Sequence, residues 1–485
     1  MSIFDRTPVT NLKFYHLHQH HANKHANKFL LAFLRRPIIL NKMLNHESTI
    51  SVGIYEGRRQ ARGRLAGLFS VNGNAGSGEF EVEAASGQLL MRDLAGKKIA
   101  RGKEILCAPI SAGSFTLRGV TIGVQFHWER KEDQTFEGAL RFLRRADGTI
   151  TAINEISVEH YLKSVISSEM SAEAPTELLK AHAITSRSWL VAMLERQKKF
   201  KNLDVPARRS RETENEIIRW YDREDHRDFQ VCADDHCQRY QGVSKIISPT
   251  AAQVVDETRG VFLVYDNEIC DARFSKSCGG VSEAFENAWE DTPIPYLQPI
   301  SDAAIQHPLL RNEAQAEQWI VSSPEAYCNT SEGKILRQIL PSFDQETTDF
   351  FRWRVEYRRE ELEEILAAKS GINFGTLLGL VPLQRGPSGR IIRLKITGSE
   401  KSLVVGKELE IRRWFSKSHL YSSAFIVQTE CDEKGIPLRF ILHGAGWGHG
   451  VGLCQIGAAV MAAKGFTAEE IVKHYFRNVE LKKLY

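Results

Sequence analysis

Long apolar runs are missing from this sequence, and so is any large excess of one charge. No stretch reaches the roughly 20 apolar residues that a membrane helix needs, so no helical span is expected. "FLLAFL" near the N-terminus is too short for the core of a secretory signal. It follows a His-rich polar stretch and has no small-residue cleavage site after it, so no signal peptide is expected either. The formal net charge is only +4 over 485 residues. That gives no reason to invoke nucleic acid, although it is compatible with an acidic polymer as partner. Cysteine is sparse: the eight thiols at 107, 232, 237, 270, 278, 328, 431 and 454 are scattered and do not form a secreted disulfide framework. Only Cys232 and Cys237 are close enough to suggest shared work. Repeats of roughly 20–50 residues are also lacking, which excludes a solenoid.

What is present is an ordinary globular composition, 42% hydrophobic and 26% charged. The length calls for more than one lobe. Residues 1–42 read as a basic, His-rich extension without a fold of its own, in which "HLHQHHANKH" reads as a solvated arm. Residues 43–155 form a β-rich N-terminal lobe: "TISVGIY", "GEFEVEA", "SFTLRGVTIGVQFHW" and "GALRFLRRADGTITAIN" alternate in strand fashion between Gly and Asp-Gly turns. Residues 156–325 are a helical core, with "VEHYLKSVI" and a second helix opened by Pro175; 195–225 look like a charged, solvated insertion, and 222–245 form a loop. Residues 326–430 read as an inserted α/β and β unit, and 431–485 as a Gly-rich segment returning to the core. It closes on a Thr467/Glu470 capping box. The fold class expected is α+β, multi-lobed.

Several constellations carry chemistry. Glu169 sits among small residues in "VISSEMSAEAPTELLKAHAITSRSW". A carboxyl in a partly apolar pocket can donate a proton, while nearby cations oppose that. Lys180 and Arg187, seven residues apart, lie near one helix face, so the alternative is a structural Glu169–Arg187 pair. In "HGAGWGHGVGLCQIGA" glycine recurs at every second position. An extended chain would put Gly444 to Gly452 on one bare face, leaving Trp447 for a sugar ring and His449 and Gln455 for directional contacts. The even spacing does not match a dinucleotide fingerprint. His226, Cys232, His236 and Cys237 offer two imidazoles and two thiols, a set suited to tetrahedral zinc. Four protein ligands would make such a site structural. Cys278 in "RFSKSCGG" is either a nucleophile on a turn or, more simply, a small buried hydrophobe.

Together these stretches resemble the SpoIID/LytB family, which includes stage II sporulation protein D and amidase enhancers. "SSEMSAEAPTELLKAHAITSRSW" resembles its Ser-Glu-Met segment and following helix, and "GWGHGVGLCQIGA" its C-terminal signature. "SCGGVSEAFENAWEDTPIPYL" and "SGRIIRLKITG…GKELEIRRWF" follow the family order. Cys278, Ser275 and Cys454 depart from the family's common residues. The resemblance implies a lytic transglycosylase that cleaves MurNAc–GlcNAc glycan strands of peptidoglycan, with Glu169 as general acid and base. It also implies glycan contacts at Lys180, Arg187, Ser277, Gly279, Gly280, Trp447, His449 and Gln455, and a Zn2+ held by His226, Cys232, His236 and Cys237. A cell-envelope location follows from the substrate. Two rivals stand beside it: a noncatalytic glycan-binding protein that stimulates a cell-wall amidase, and a zinc-dependent hydrolase, which four closed ligands disfavour.

Overall fold

The computed structural model describes residues 46–124, 129–171, 173–201, 210–220, 226–234, 236–246, 249–310, 312–340 and 348–485. The 1–42 extension with its histidine tract lies outside them, as do residues 202–209 and 221–225 of the charged stretch. The described chain is mixed α+β.

Alternation dominates the first part. Along Gln60–Val71 the inward residues Ala61, Leu65, Phe69 and Val71 are buried while most of their neighbours are exposed, the period-two pattern of a strand with one covered face. The ten strands between Thr49 and Ser157, with Val231–Cys232 as the eleventh, form one sheet. The chain between them is antiparallel, but Val52 and Gly53 pair in parallel with Val231 and Cys232. Strand Ile150–Ser157 leads straight into the helix Val158–Glu169, whose first turn is capped by the Ser157 hydroxyl.

The helix Thr176–Lys201 follows, with Pro175 immediately before it. Its small residues Ala181, Ala183, Ser186 and Ser188 are all buried. They allow close packing against the helices Pro249–Glu257, Gln455–Ala463 and Ala468–Tyr475 and against strand Val261–Tyr265. That strand pairs with Glu480–Lys483 near the chain end. The capping box at Thr467 and Glu470 is formed. One apolar core thus runs from Ile50 in the sheet to Val479.

A second apolar cluster joins Ile217 to residues between Trp353 and Leu442. Here the structure corrects the sequence reading twice. Residues 210–219 are not simply a solvated insertion: Glu216–Arg219 runs parallel to Ser402–Gly406 within a five-stranded sheet. The adjacent Ile217 and Ile218 are buried, an apolar pair that the surrounding charges obscured. "KELEIRRWF", expected as β, is a helix at Glu408–Trp414 with Ile411 and Trp414 buried.

Candidate active site and metal centre

Glu169 ends the helix Val158–Glu169 rather than lying in a loop. Val158, Tyr161, Leu162, Val165 and Ile166 form the buried stripe of that helix, and Glu169 occupies the next position of the same series. A carboxyl therefore stands where the helical period asks for an apolar residue. It is 8% exposed, and its Oε1 accepts a hydrogen bond from the Arg239 backbone N–H at 2.9 Å.

Arg239 belongs to a strap that leaves the His/Cys cluster and lies against this helix. The Tyr161 hydroxyl donates to Gln238 Oε1 at 3.3 Å. The Ser164 hydroxyl donates to the Gly242 carbonyl and accepts from the Gln241 N–H. The Tyr161 and Tyr240 rings stack with centroids 5.0 Å apart. Gly242, at φ +69, is required here, because a Cβ would come within 2.1 Å of the Thr135 carbonyl oxygen.

At the head of the strap the ligand atoms of His226, Cys232, His236 and Cys237 all lie within 4.8 Å of one another. Cys237 Sγ is 3.4 Å from His226 Nε2 and 3.5 Å from His236 Nδ1. Zn–S near 2.3 Å and Zn–N near 2.0–2.1 Å at a tetrahedral angle require an N···S edge of about 3.6 Å. The donor set therefore fits a tetrahedral ion in both type and spacing. Phe229, packed where a Cβ on Gly53 would collide, stacks against His226 and fixes its ring. Hydrogen bonds from Cys237, and then from His226 and His236, hold Cys232 well below the usual thiol range despite burial. The hydrogen bond with Cys232, then burial, pushes Cys237 far above that range.

The C-terminal signature is not an extended strand. Strand Pro437–Ala445 stops, and Gly446, Gly448, Gly450 and Gly452 all take positive φ of 73–94°. The alternating bare face is therefore corrected: the glycines are needed for left-handed turns and for close packing. A Cβ on Gly450 would lie 2.4 Å from the Arg390 guanidinium, and one on Gly452 would lie 2.1 Å from the Arg273 carbonyl oxygen. Arg390 is fully buried. It donates to the carbonyls of Gly448 and Cys278 and so ties this loop to "SCGG". Trp447 is half-buried, with the Tyr421 and Phe350 ring centroids 4.1 and 4.8 Å away.

His449 Nδ1 accepts from the Val451 N–H, and its ring meets Trp289 edge-on at 4.7 Å. Burial, reinforced by Arg273, Arg412 and Arg390, holds the imidazole well below its ordinary range.

Several expected glycan contacts are corrected by burial. Arg187 is 0% exposed and forms a bidentate pair with Glu159 at 2.9 and 2.7 Å. It meets neither solvent nor, as its carboxylate partner, Glu169. Gln455 is buried against His182. Ser277 is buried, and its backbone is bridged to Trp447. Gly279 and Gly280 are half of this packing: their φ values are +83° and +106°, and added carbons would meet Gly446 and Trp319. Lys180 is partly exposed and ion-paired with Glu177 and Glu257. Cys278 is buried and its thiol pushed well above the usual range by burial, so it is no nucleophile. Sequence reading missed Arg273, Arg390 and the Arg239 amide. Glu169 was visible, and its place in the apolar stripe was a stronger signal than its small neighbours.

Residues 146–265, which hold Glu169, the strap and the His/Cys cluster, match the family model described as stage II sporulation protein. The chain carries a SpoIID-family domain. Residues 283–452 match a family of domains of unknown function. Stage II sporulation protein D of Bacillus subtilis is 24% identical over 68% of this chain and 76% of its own length. An uncharacterized protein of Brachyspira hyodysenteriae is 26% identical over 71% of this chain and 72% of its own. The amidase enhancer of Bacillus subtilis is 23% identical over 66% of this chain, which spans 40% of that protein. A cell-wall-related role accompanies the SpoIID-family assignment. No described helix is long and apolar enough to cross a membrane.

Proposed function

We propose that this SpoIID-family protein is a lytic transglycosylase of the cell envelope that cleaves stem-peptide-poor glycan strands at the MurNAc–GlcNAc bond. The observation that carries this is Glu169: a nearly buried carboxyl at a helix end, fixed by the Arg239 N–H. Its proton passes to the glycosidic oxygen as the C1–O bond breaks. The carboxylate then takes the proton of the sugar's C6 hydroxyl as that oxygen bonds to C1, giving a 1,6-anhydro end. The substrate supplies its own nucleophile, so the second carboxylate that ordinary glycosidases need is not required. Trp447 with Tyr421 offers an aromatic surface for a sugar ring.

His226, Cys232, His236 and Cys237 would hold a structural zinc ion. When bound, it stabilises the folded loop rather than supplying a reacting water, because four protein ligands close its shell. The strap then holds the Arg239 amide against Glu169.

Mass spectrometry of products from purified, stem-peptide-free glycan strands tests the proposal. Wild type should yield anhydro ends. Glu169→Gln should lose at least the roughly 10²–10⁴-fold of general acid–base catalysis while still binding glycan. Reducing ends, or wild-type turnover by the variant, overturn it. Similarity to the amidase enhancer supports a second reading, a glycan-binding activator of a cell-wall amidase. Glycan binding without any cleavage would favour that reading.

A further inference from the structure

A second group of metal-binding side chains lies away from the His/Cys strap. Cys278, Asp302, Cys328 and Cys454 come from four separate segments, yet their ligand atoms all lie within 4.8 Å of one another. The four residues are sealed from solvent, at 2%, 0%, 1% and 0% exposure. Thiols alone pack as small hydrophobes. The carboxyl enclosed with three of them is held by two neutral donors, the Tyr475 hydroxyl and the Cys328 N–H.

The spacing suits an ion. Two thiolates on one tetrahedral zinc, each near 2.3 Å, are separated by about 3.8 Å. Cys278 Sγ and Cys328 Sγ are 3.7 Å apart. That is far beyond the 2.03–2.05 Å of a disulfide.

Several neighbouring groups donate toward the cluster. Cys454 Sγ accepts from the N–H groups of Cys278 and Gly457 at 3.3 and 3.4 Å. It caps the helix Gln455–Ala463, whose N-terminal end favours negative charge. Asp302 is oriented at both oxygens: Oδ1 accepts from the Tyr475 hydroxyl at 2.6 Å and Oδ2 from the Cys328 N–H at 2.9 Å. Outer contacts of this kind aim metal ligands. Glycine at 457 leaves the space they need, because a Cβ there would lie 2.4 Å from both Asp302 Oδ1 and the Tyr475 oxygen. The Arg352 guanidinium, held by the carbonyls of Gly279, Trp319, Ser322 and Phe351, supplies a positive charge that acts on Cys278 and Cys328.

We propose that Cys278, Cys328, Cys454 and Asp302 form a second structural zinc site, distinct from the loop cluster. It staples the helix after Cys454 to the segments around Cys278, Asp302 and Cys328. With four protein donors and no access to solvent, it offers no position for substrate or an activated water.

The test is metal analysis of the full chain purified without chelator. Wild type should carry two zinc ions. The Cys232→Ser/Cys237→Ser variant should keep one, and its cobalt-substituted form should show thiolate-to-cobalt charge-transfer absorption. Adding Cys328→Ser should abolish that absorption and lower the bound metal to near zero. A folded Cys232→Ser/Cys237→Ser protein with no metal overturns the proposal. So does a wild-type mass lighter by the two hydrogens of a Cys278–Cys328 disulfide. Should the loop variant not fold, Cys328→Ser alone decides: loss of one ion relative to wild type supports the second site, and unchanged metal content overturns it.

Discussion

Arg187→Met separates a structural arginine from a substrate-binding one. The guanidinium is 0% exposed and donates to Glu159 at 2.9 and 2.7 Å, with Glu159 only 2% exposed. It also donates to the carbonyls of Val261 and Val255. Methionine fills most of the stem's volume but leaves Glu159 without its cation. Removing one member of a buried pair typically costs about 3–5 kcal/mol. Glu159 would keep the Tyr485 hydroxyl at 2.6 Å and the Gly260 N–H at 3.3 Å, which places the loss toward the lower end, about 3 kcal/mol. The denaturation midpoint should fall clearly, while glycan cleavage per folded molecule stays at the wild-type level. Arg187→Met/Glu159→Leu should be more stable than the single variant, because no buried charge is left unpaired. An unchanged midpoint combined with lost glycan binding or cleavage would return Arg187 to the substrate.

Cys237→Ser should lower zinc content and speed proteolysis between residues 226 and 245. Its loss of cleavage should be smaller than that of Glu169→Gln, because the carboxyl remains and only its Arg239 anchor loosens; full activity in zinc-free protein with an ordered loop would contradict this. His182→Gln tests a buried imidazole, which burial and then Lys276 push down from 6.5 to about 3. The unfolded chain takes that proton below about 6.5 and the folded one does not, so stability present above that value is lost as pH falls toward 3. The slope is about 1.4 kcal/mol per pH unit, and the variant should be flatter across this window by thermal denaturation. Equal slopes for variant and wild type would rule out this role for His182.

Much of the local structure was legible because it is written in short-range patterns. The strand alternation in "TISVGIY" and "GEFEVEA", the helix opened by Pro175 and the capping box at Thr467 each depend on residues within a few positions. The Glu216–Arg219 strand was hidden because its partner, Ser402–Gly406, lies nearly two hundred residues away and its apolar content is two isoleucines among charges. The glycines of the C-terminal signature announced close packing, but not its form. Alternation is compatible with a strand, and only the positive φ values show a succession of turns fitted around Arg390 and Arg273.

Sequence alone singled out the candidate residues: one acid, Glu169, between two helical segments, and two imidazoles and two thiols within one loop. Both follow from helical period and chain proximity, which bind near neighbours whatever the rest of the chain does. Tertiary structure alone decided which cations are internal. Arg187 and Lys180 share a helix, yet one is sealed against Glu159 and the other is partly exposed beside Glu177 and Glu257. It alone brought the Arg239 amide to Glu169 and gathered Cys278, Asp302, Cys328 and Cys454 from four segments. Such meetings depend on how whole elements pack, and no local pattern encodes the distance between side chains that the chain separates by up to 176 positions.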